Sequence, residues 1–380
     1  MTMKVLVPFG TRPEIVKLSP VVDALRRRSD AIDVRTVATG QHSDPEMSDA
    51  FFDGLGLEPD ERWSLGNGIN TAHRIATMMA FADAEIADSR PDLVLLLGDT
   101  YTVPLFCLAA RRHCVPVAHL EAGLRSFNET SMEEVNRKVA GATASLHLAP
   151  TDLAARFLLR EGVAPERVRV VGNPVVDVLR SAGIKPTPVA ERSGVVVTAH
   201  RATNVDSPER LNQLVDLICR IAREVAPVTF PVHPRTWERL REASLVTRLE
   251  VAGVNLLPPQ PYARMLDLLA NARLVVTDSG GLQEEASWLG VPVVVLRRST
   301  PRWEGVAART SVLVGLDVDL AVETAMQLST TKEQERVAAV ACPYGDGHTA
   351  DAVADLLADP STAPLLQLGE PDFVGKEVPS

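Results

Sequence analysis

The residues best suited to chemistry in this sequence are a small set of carboxylates and cations that directly follow strand-like apolar runs. Gly10-Thr11-Arg12-Pro13-Glu14 follows the run 4–9, Gly98-Asp99-Thr100 follows 93–97, and Glu121 closes 115–120. Further along, His200-Arg201 follows 195–198 and Asp278-Ser279-Gly280-Gly281 follows 274–277. Open parallel sheets bind ligands beyond the carboxyl ends of their strands. Groups gathered at that kind of edge therefore suit acid–base work beside a bound anion.

Each of these residues also has a plain structural use. Ser279-Gly280-Gly281 precedes a helix, where it serves either as an N-cap with permissive glycines or as a row of N–H groups facing a phosphate. With Arg12, Lys17 and His200 available as cations, phosphate binding is the favoured reading. Asp99, Glu121, Glu133 and Glu134 suit helix caps or surface charges, the usual fate of carboxylates. Asp99 and Glu121, however, end two apolar strands, where an idle buried carboxylate is costly. Glu133 and Arg137 stand four apart in Met-Glu-Glu-Val-Asn-Arg, which a helix would align. Glu285 is either exposed on the helix after the glycine pair or an acceptor for ribose hydroxyls. His233 follows another strand-like run and is the weaker histidine candidate.

The elements that must position these groups alternate in a regular way. Short β-branched runs and helix-period segments succeed one another, which predicts parallel α/β layers. Strands are predicted at 4–9, 34–39, 93–97, 115–120, 146–149 and 168–171. After a linker over 175–192 containing Pro186 and Pro188, they resume at 195–198, 228–232, 254–257, 274–277, 293–296 and 312–314. Ile15, Leu18, Val21, Val22 and Leu25 share one helical face. The predicted organisation is an N-terminal Rossmann-like domain over 1–176 and a C-terminal one over 177–345. A helix over 346–358 is expected to pack back on the first domain, with a poorly ordered tail over 359–380. One site between the two domains fits the shared edge.

Composition narrows the classes further. The chain has 380 residues, 46% of them hydrophobic and 23% charged, as in ordinary soluble domains. A net charge of −10 disfavours a nucleic-acid surface, so any bound phosphate must rely on local cations and backbone N–H groups. Cys107, Cys114, Cys219 and Cys342 form no CxxC pair, which predicts neither a metal site nor disulfides and suits a cytoplasmic protein. No apolar run approaches a membrane span. Gly345-Asp346-Gly347-His348-Thr349-Ala350 has the glycine spacing of a dinucleotide loop, but it follows no strand and fails that test.

Taken together, the motifs resemble a known family. GTRPEIVKLSP at the N-terminus, GDTYT at 98–102, HLEAGLRS at 119–126, EEVNR at 133–137, HRATN at 200–204 and TDSGGLQEEASWLGVP at 277–292 look like the non-hydrolysing UDP-N-acetylglucosamine 2-epimerases. The resemblance runs from about Lys4 to Leu357 in the family's order. It implies the GT-B architecture, two facing Rossmann-like domains with parallel sheets and a cleft between them. It further implies no redox cofactor, a UDP-N-acetyl amino sugar as ligand, no membrane partner and a homodimer. Asp99, Glu121 and Glu133 would be the catalytic carboxylates, with Arg137 close by and Arg12 and Lys17 near the diphosphate and reacting sugar. His200 would contact the leaving phosphate, Ser279, Gly280 and Gly281 the diphosphate, and Glu285 the ribose. Uracil would lie against the segment from Pro258 to Tyr262, and His233 would assist substrate binding.

Those residues suit the implied chemistry. The carbon 2 proton has no adjacent carbonyl, so UDP elimination to a 2-acetamidoglucal and re-addition is the implied route. It needs acid/base groups flanking the ring and cations for the departing diphosphate. The sequence departs from the family at Met132, which replaces a usual Pro, and at Ala202-Thr203 within the HRREN-type loop. It also departs at Ser299-Thr300-Pro301-Arg302-Trp303-Glu304. Many bacterial relatives bind a second UDP-N-acetylglucosamine as an activator, partly through this loop and the segment near residue 44. Asp44 and Ala202 here predict that such activation is weak or absent.

Overall fold

Strands buried on both faces read as continuous apolar runs, and this chain uses them to build two parallel sheets. The computed structural model describes residues 2–41, 57–65 and 70–370. The first sheet contains β1 (Met3–Phe9), β2 (Ile32–Ala38), β3 (Glu61–Arg62), β4 (Leu93–Leu97), β5 (Val117–Leu120), β6 (Leu146–Ala149) and β7 (Val168–Val170). Their spatial order is β3-β2-β1-β4-β5-β6-β7. The second sheet contains β8 (Val195–Thr198), β9 (Val228–Pro231), β10 (Asn255–Leu257), β11 (Leu274–Thr277), β12 (Val293–Val295) and β13 (Ser311–Leu313). Its order is β10-β9-β8-β11-β12-β13.

Both orders reverse direction at one point, between β1 and β4 in the first sheet and between β8 and β11 in the second. Such switch points open a crevice at the carboxyl ends of the flanking strands. The loops carrying Arg12 and Asp99 leave the first switch point, and those carrying His200 and Asp278 leave the second.

The core divides accordingly. Ile15, Leu18, Val21, Val22 and Leu25 of helix Arg12–Arg26 are fully buried against β1 and its neighbours, as their spacing predicts. Helix Thr349–Ala358 adds Val353, Ala354 and Leu357 to the same core. On its outer side, Arg27 and Arg28 pair with Asp351 and Asp355. The opposite face of the first sheet is covered by helices Thr71–Ser89, Thr102–Arg112 and Met132–Thr143. By contact the chain divides into two units: Met1–Gly123, Glu129–Val171 and Thr349–Ser380 in the first, Leu124–Asn128 and Gly172–His348 in the second.

Three segments differ from the sequence-based expectation. The two-residue strand β3 is too short to carry a periodic signal. The stretch 175–192 is not all linker, because Pro174–Ser181 forms a helix that buries Val175, Val176 and Leu179 in the second core. Asn173 caps that helix, accepting from Val175 N–H at 3.1 Å, and Pro174 starts it. Beyond Asp359 a 3-10 turn forms over Pro360–Leu366 and buries Thr362 and Leu366. Proline in these positions starts helical turns as readily as it breaks them.

Candidate active site

In the first unit the loop after β1 is built around Glu14. Its carboxylate accepts from Gly10 N–H at 2.9 Å, Thr11 N–H at 2.8 Å and Thr11 Oγ1 at 2.9 Å. Its second oxygen accepts from Thr100 Oγ1 at 2.7 Å, tying the β1 loop to the β4 loop. Burial pushes the Glu14 carboxyl up to about 7, although the bonds from Thr100, Gly10 and Thr11 oppose the shift. A side chain at Gly10 would meet Thr102 Oγ1 at 2.6 Å and Thr39 Oγ1 at 2.7 Å, so only glycine fits there. Arg12 begins the helix half-buried at the switch point.

Two of the predicted carboxylates each acquire a cation here. Glu121, 5% exposed, ends β5 in the left-handed region at φ 60° and is hydrogen-bonded through Oε1 to Lys17 Nζ. A left-handed glutamate is uncommon, and such positions gather at functional sites. Asp99, on the neighbouring strand end, receives Arg137 Nη1. Its backbone carbonyl accepts from Asn136 Nδ2 at 2.8 Å. His119 Nε2 lies 2.8 Å from Gly98 O, holding the same loop to β5.

The third carboxylate is placed differently from its neighbour. Glu133 is exposed in the first turn of helix Met132–Thr143 and accepts from Ser131 Oγ. Glu134 is the buried member of the pair, and it accepts from Arg137 Nε at 3.1 Å. Arg137, itself buried, thus joins Glu134 and Asp99 in one ion-pair group. The spacing argument favours Glu133 for Arg137, but i,i+3 neighbours on a helix are as close as i,i+4 neighbours. Which glutamate turns inward is a matter of helix rotation against the sheet.

In the second unit His200 follows β8 and Asp278 follows β11, with Thr198 and Thr277 paired at the strand ends. His200 Nδ1 lies 3.1 Å from Asp278 Oδ1. Asp278 is fully buried and also accepts from the backbone N–H groups of His200 and Arg201 and from Asn204 Nδ2 at 3.0 Å. Burial would raise its carboxyl, but bonds from His200, Arg201 and Asn204 outweigh this and hold it below the usual range. The His233 ring stands 5.3 Å from that of His200.

Helix Gly280–Trp288 starts after Ser279, whose side chain makes no capping bond to it among the described residues. Ser279 stands at the N-cap position, and the N–H groups at this positive helix end suit an anion as well as a plain helix start. A Cβ on Gly280 would lie 3.3 Å from the Arg302 guanidinium, while one on Gly281 would meet nothing within 4 Å. Arg302 is anchored by the buried Glu284 at 2.8 Å, to which Asn173 also donates. Glu285 is buried and accepts from Tyr262 OH at 3.0 Å, so two of the predicted nucleoside contacts form one pair. Pro258 is exposed.

Motif reading passes over Glu14, Glu134, Asp278 and Arg302 as site residues. Glu14 and Asp278 carried a local signal, their place in the polar segments that follow strands, and Glu134 stood beside Glu133 in the carboxylate pair. Asp44 and His42 lie outside the described residues. Among the described residues, no group of three His, Cys, Asp or Glu side chains is arranged to hold a metal ion. No helix among them is long and apolar enough to cross a membrane.

The family model for UDP-N-acetylglucosamine 2-epimerase matches residues 23–358. The UDP-N-acetylglucosamine 2-epimerase of Methanocaldococcus jannaschii is 35% identical over 373 residues, covering 93% of this chain and 99% of that protein. Its crystal structure in complex with UDP-GlcNAc and UDP superposes with a TM-score of 0.82, covering 93% of this chain and 99% of that one. The UDP-2,3-diacetamido-2,3-dideoxy-D-glucuronate 2-epimerase of Pseudomonas aeruginosa is also 35% identical, over 94% of this chain and 99% of that protein. A lipopolysaccharide outer core galactosyltransferase shares the GT-B fold alone, at 14% identity and a TM-score of 0.57, covering 93% of this chain and 99% of that one. With its parallel α/β sheets and a family match over most of its length, the chain belongs to the UDP-N-acetylglucosamine 2-epimerase family.

Proposed function

We propose that this protein is a non-hydrolysing epimerase interconverting UDP-GlcNAc and UDP-ManNAc by elimination and re-addition of UDP. The observation that carries the reading is the pair of carboxylates Asp99 and Glu121, which follow the adjacent strands β4 and β5 and are each paired with a cation. A carboxylate accepts the carbon 2 proton while the bond from carbon 1 to the phosphate oxygen breaks. The former C–H electron pair becomes the double bond of the 2-acetamidoglucal, and the bonding pair leaves with UDP. Re-addition reverses both events, with the proton delivered to the opposite face. Two acid/base groups and a grip on the leaving diphosphate meet that requirement.

Asp99, Glu121 and Glu133 are assigned to proton transfer, with Arg12, Lys17 and Arg137 beside the reacting sugar. His200, aided by His233, is assigned to the departing phosphate. Ser279, Gly280 and Gly281 hold the diphosphate, while Glu285 and the segment from Pro258 to Tyr262 hold the nucleoside. Identity alone does not choose the sugar, being 35% to relatives named for two different substrates.

The test is incubation with UDP-GlcNAc in deuterated water, followed by NMR. Epimer still attached to UDP and deuterated at carbon 2 is expected. Free amino sugar would indicate hydrolysis, and absence of exchange without an added acceptor would indicate a transferase.

We further assign a homodimer and a cytoplasmic location. Phe81, Leu108, Met132 and Val135 expose apolar side chains on the three helices that cover one face of the first sheet. Exposed apolar side chains of this kind are candidates for burial against a second copy. Sedimentation at micromolar concentration should give a mass near twice 41.0 kDa. The four cysteines are free thiols, as a reducing compartment allows.

A further inference from the structure

We propose that Asp278 is the positioning residue for His200, fixing the imidazole with Nδ1–H turned inward so that Nε2 is presented to the departing phosphate. The proposal rests on the reading of His200 given above. The imidazole is 40% exposed, whereas its carboxylate partner is fully buried. With Nδ1 at 3.1 Å from Asp278 Oδ1, the other ring nitrogen lies on the far side of the ring. A hydrogen bond to one nitrogen sets the tautomer and orientation of the other.

The charge arrangement points the same way. Asp278 immediately precedes the Ser279-Gly280-Gly281 turn assigned to the diphosphate. A buried anion beside that turn would repel a phosphate unless a cation stood between them. The His200 ring is the hydrogen-bonded neighbour of that carboxylate, donating from Nδ1 to Asp278 and turning Nε2 outward. The buried carboxylate thereby orients the ring, as the buried acid of a catalytic triad orients its histidine.

Asp278 also ties loops together, through Arg201 N–H at 3.0 Å and Asn204 Nδ2 at 3.0 Å, and a purely structural role must be separated from the proposed one. Asn204→Ala removes one of these loop ties and leaves the His200–Asp278 pair in place. Asp278→Asn keeps the shape of the side chain but removes its charge. Turnover is read from deuterium exchange at carbon 2, and the tautomer from 15N-labelled histidine by NMR. The expected result is a wild-type His200 protonated at Nδ1 and a fall in kcat of about 10²-fold in Asp278→Asn. The Nδ1 signal should move in that variant. Asn204→Ala should lower kcat far less and leave that signal unmoved.

Equal losses in the two variants with an unmoved His200 signal would overturn the proposal. So would a wild-type His200 protonated at Nε2 alone, a measurement that stands even where Asp278→Asn fails to fold. His200→Ala separates the two layers of the argument. If it keeps wild-type turnover, the role of His200 itself fails. If it is impaired while Asp278→Asn keeps both turnover and tautomer, only the assignment of Asp278 fails.

Discussion

The ammonium of Lys17 is hydrogen-bonded to the carboxylate of Glu121, and both side chains are buried, with 10% and 5% of their surface exposed. Helix Arg12–Arg26 supplies the first and the turn after β5 the second, so one ion pair joins that helix to the end of a strand. Breaking a buried ion pair by removing one member typically costs about 3–5 kcal/mol. Lys17→Met and Glu121→Gln should each destabilise the protein by an amount of that order. The double variant should be less destabilised than the two losses combined. Urea unfolding of all four proteins closes the cycle, and additive losses would mean the two groups do not interact energetically.

Glu121→Gln should also lower turnover by about 10²–10⁴-fold, the usual contribution of a general acid/base group. UDP affinity, measured by calorimetry, should stay near the wild-type value. A Glu121→Gln enzyme that exchanges deuterium at the normal rate would remove Glu121 from the proton-transfer step.

Gly280 is the point at which the chain approaches the Arg302 guanidinium, 3.3 Å from where a Cβ would stand. Gly280→Val should crowd Arg302 and obstruct backbone approach to a phosphate, weakening UDP binding by about tenfold or more, and should also lower thermal stability because the buried Arg302–Glu284 pair is disturbed. Undiminished affinity would place the diphosphate elsewhere.

Glu14 makes stability depend on pH in a definite direction. Its carboxyl is raised from 4.5 to about 7 by burial, so the folded state holds its proton more tightly than the unfolded state. No cost arises below about pH 4.5. The cost grows as pH rises through the window up to about 7 and is complete above it, on the order of 3 kcal/mol. Glu14→Gln removes this titration, so its stability relative to wild type should improve as pH rises from 4.5 to 7. Denaturant midpoints at several pH values test this. A constant difference would show that Glu14 does not titrate in that window.

Control by a second nucleotide sugar should be weak. Ala202 and Thr203 are exposed at the start of the short helix Ala202–Val205, where neither offers a charge to an added diphosphate. UDP-ManNAc alone should therefore turn over, without a trace of UDP-GlcNAc. A strict requirement for the trace, or a steeply sigmoidal forward curve, would show that an activator binds through other residues.

The sequence by itself determined the strand cores and the burial of the first helix. Runs such as 93–97, 146–149, 195–198 and 274–277 coincide with β4, β6, β8 and β11, because strands buried on both faces read as near-continuous apolar runs. It also marked which polar groups sit at the carboxyl edges, since the residue after such a run emerges there. Partnership was decided only in three dimensions. Lys17 and Glu121 are 104 positions apart, and His200 and Asp278 are 78 apart. Crossover topology brings each pair together at the carboxyl edge of its sheet, and local periodicity carries no trace of it. The same holds for Glu133 and Glu134, adjacent in sequence. The rotation of one helix against a sheet buries Glu134 with Arg137 and turns Glu133 to the surface.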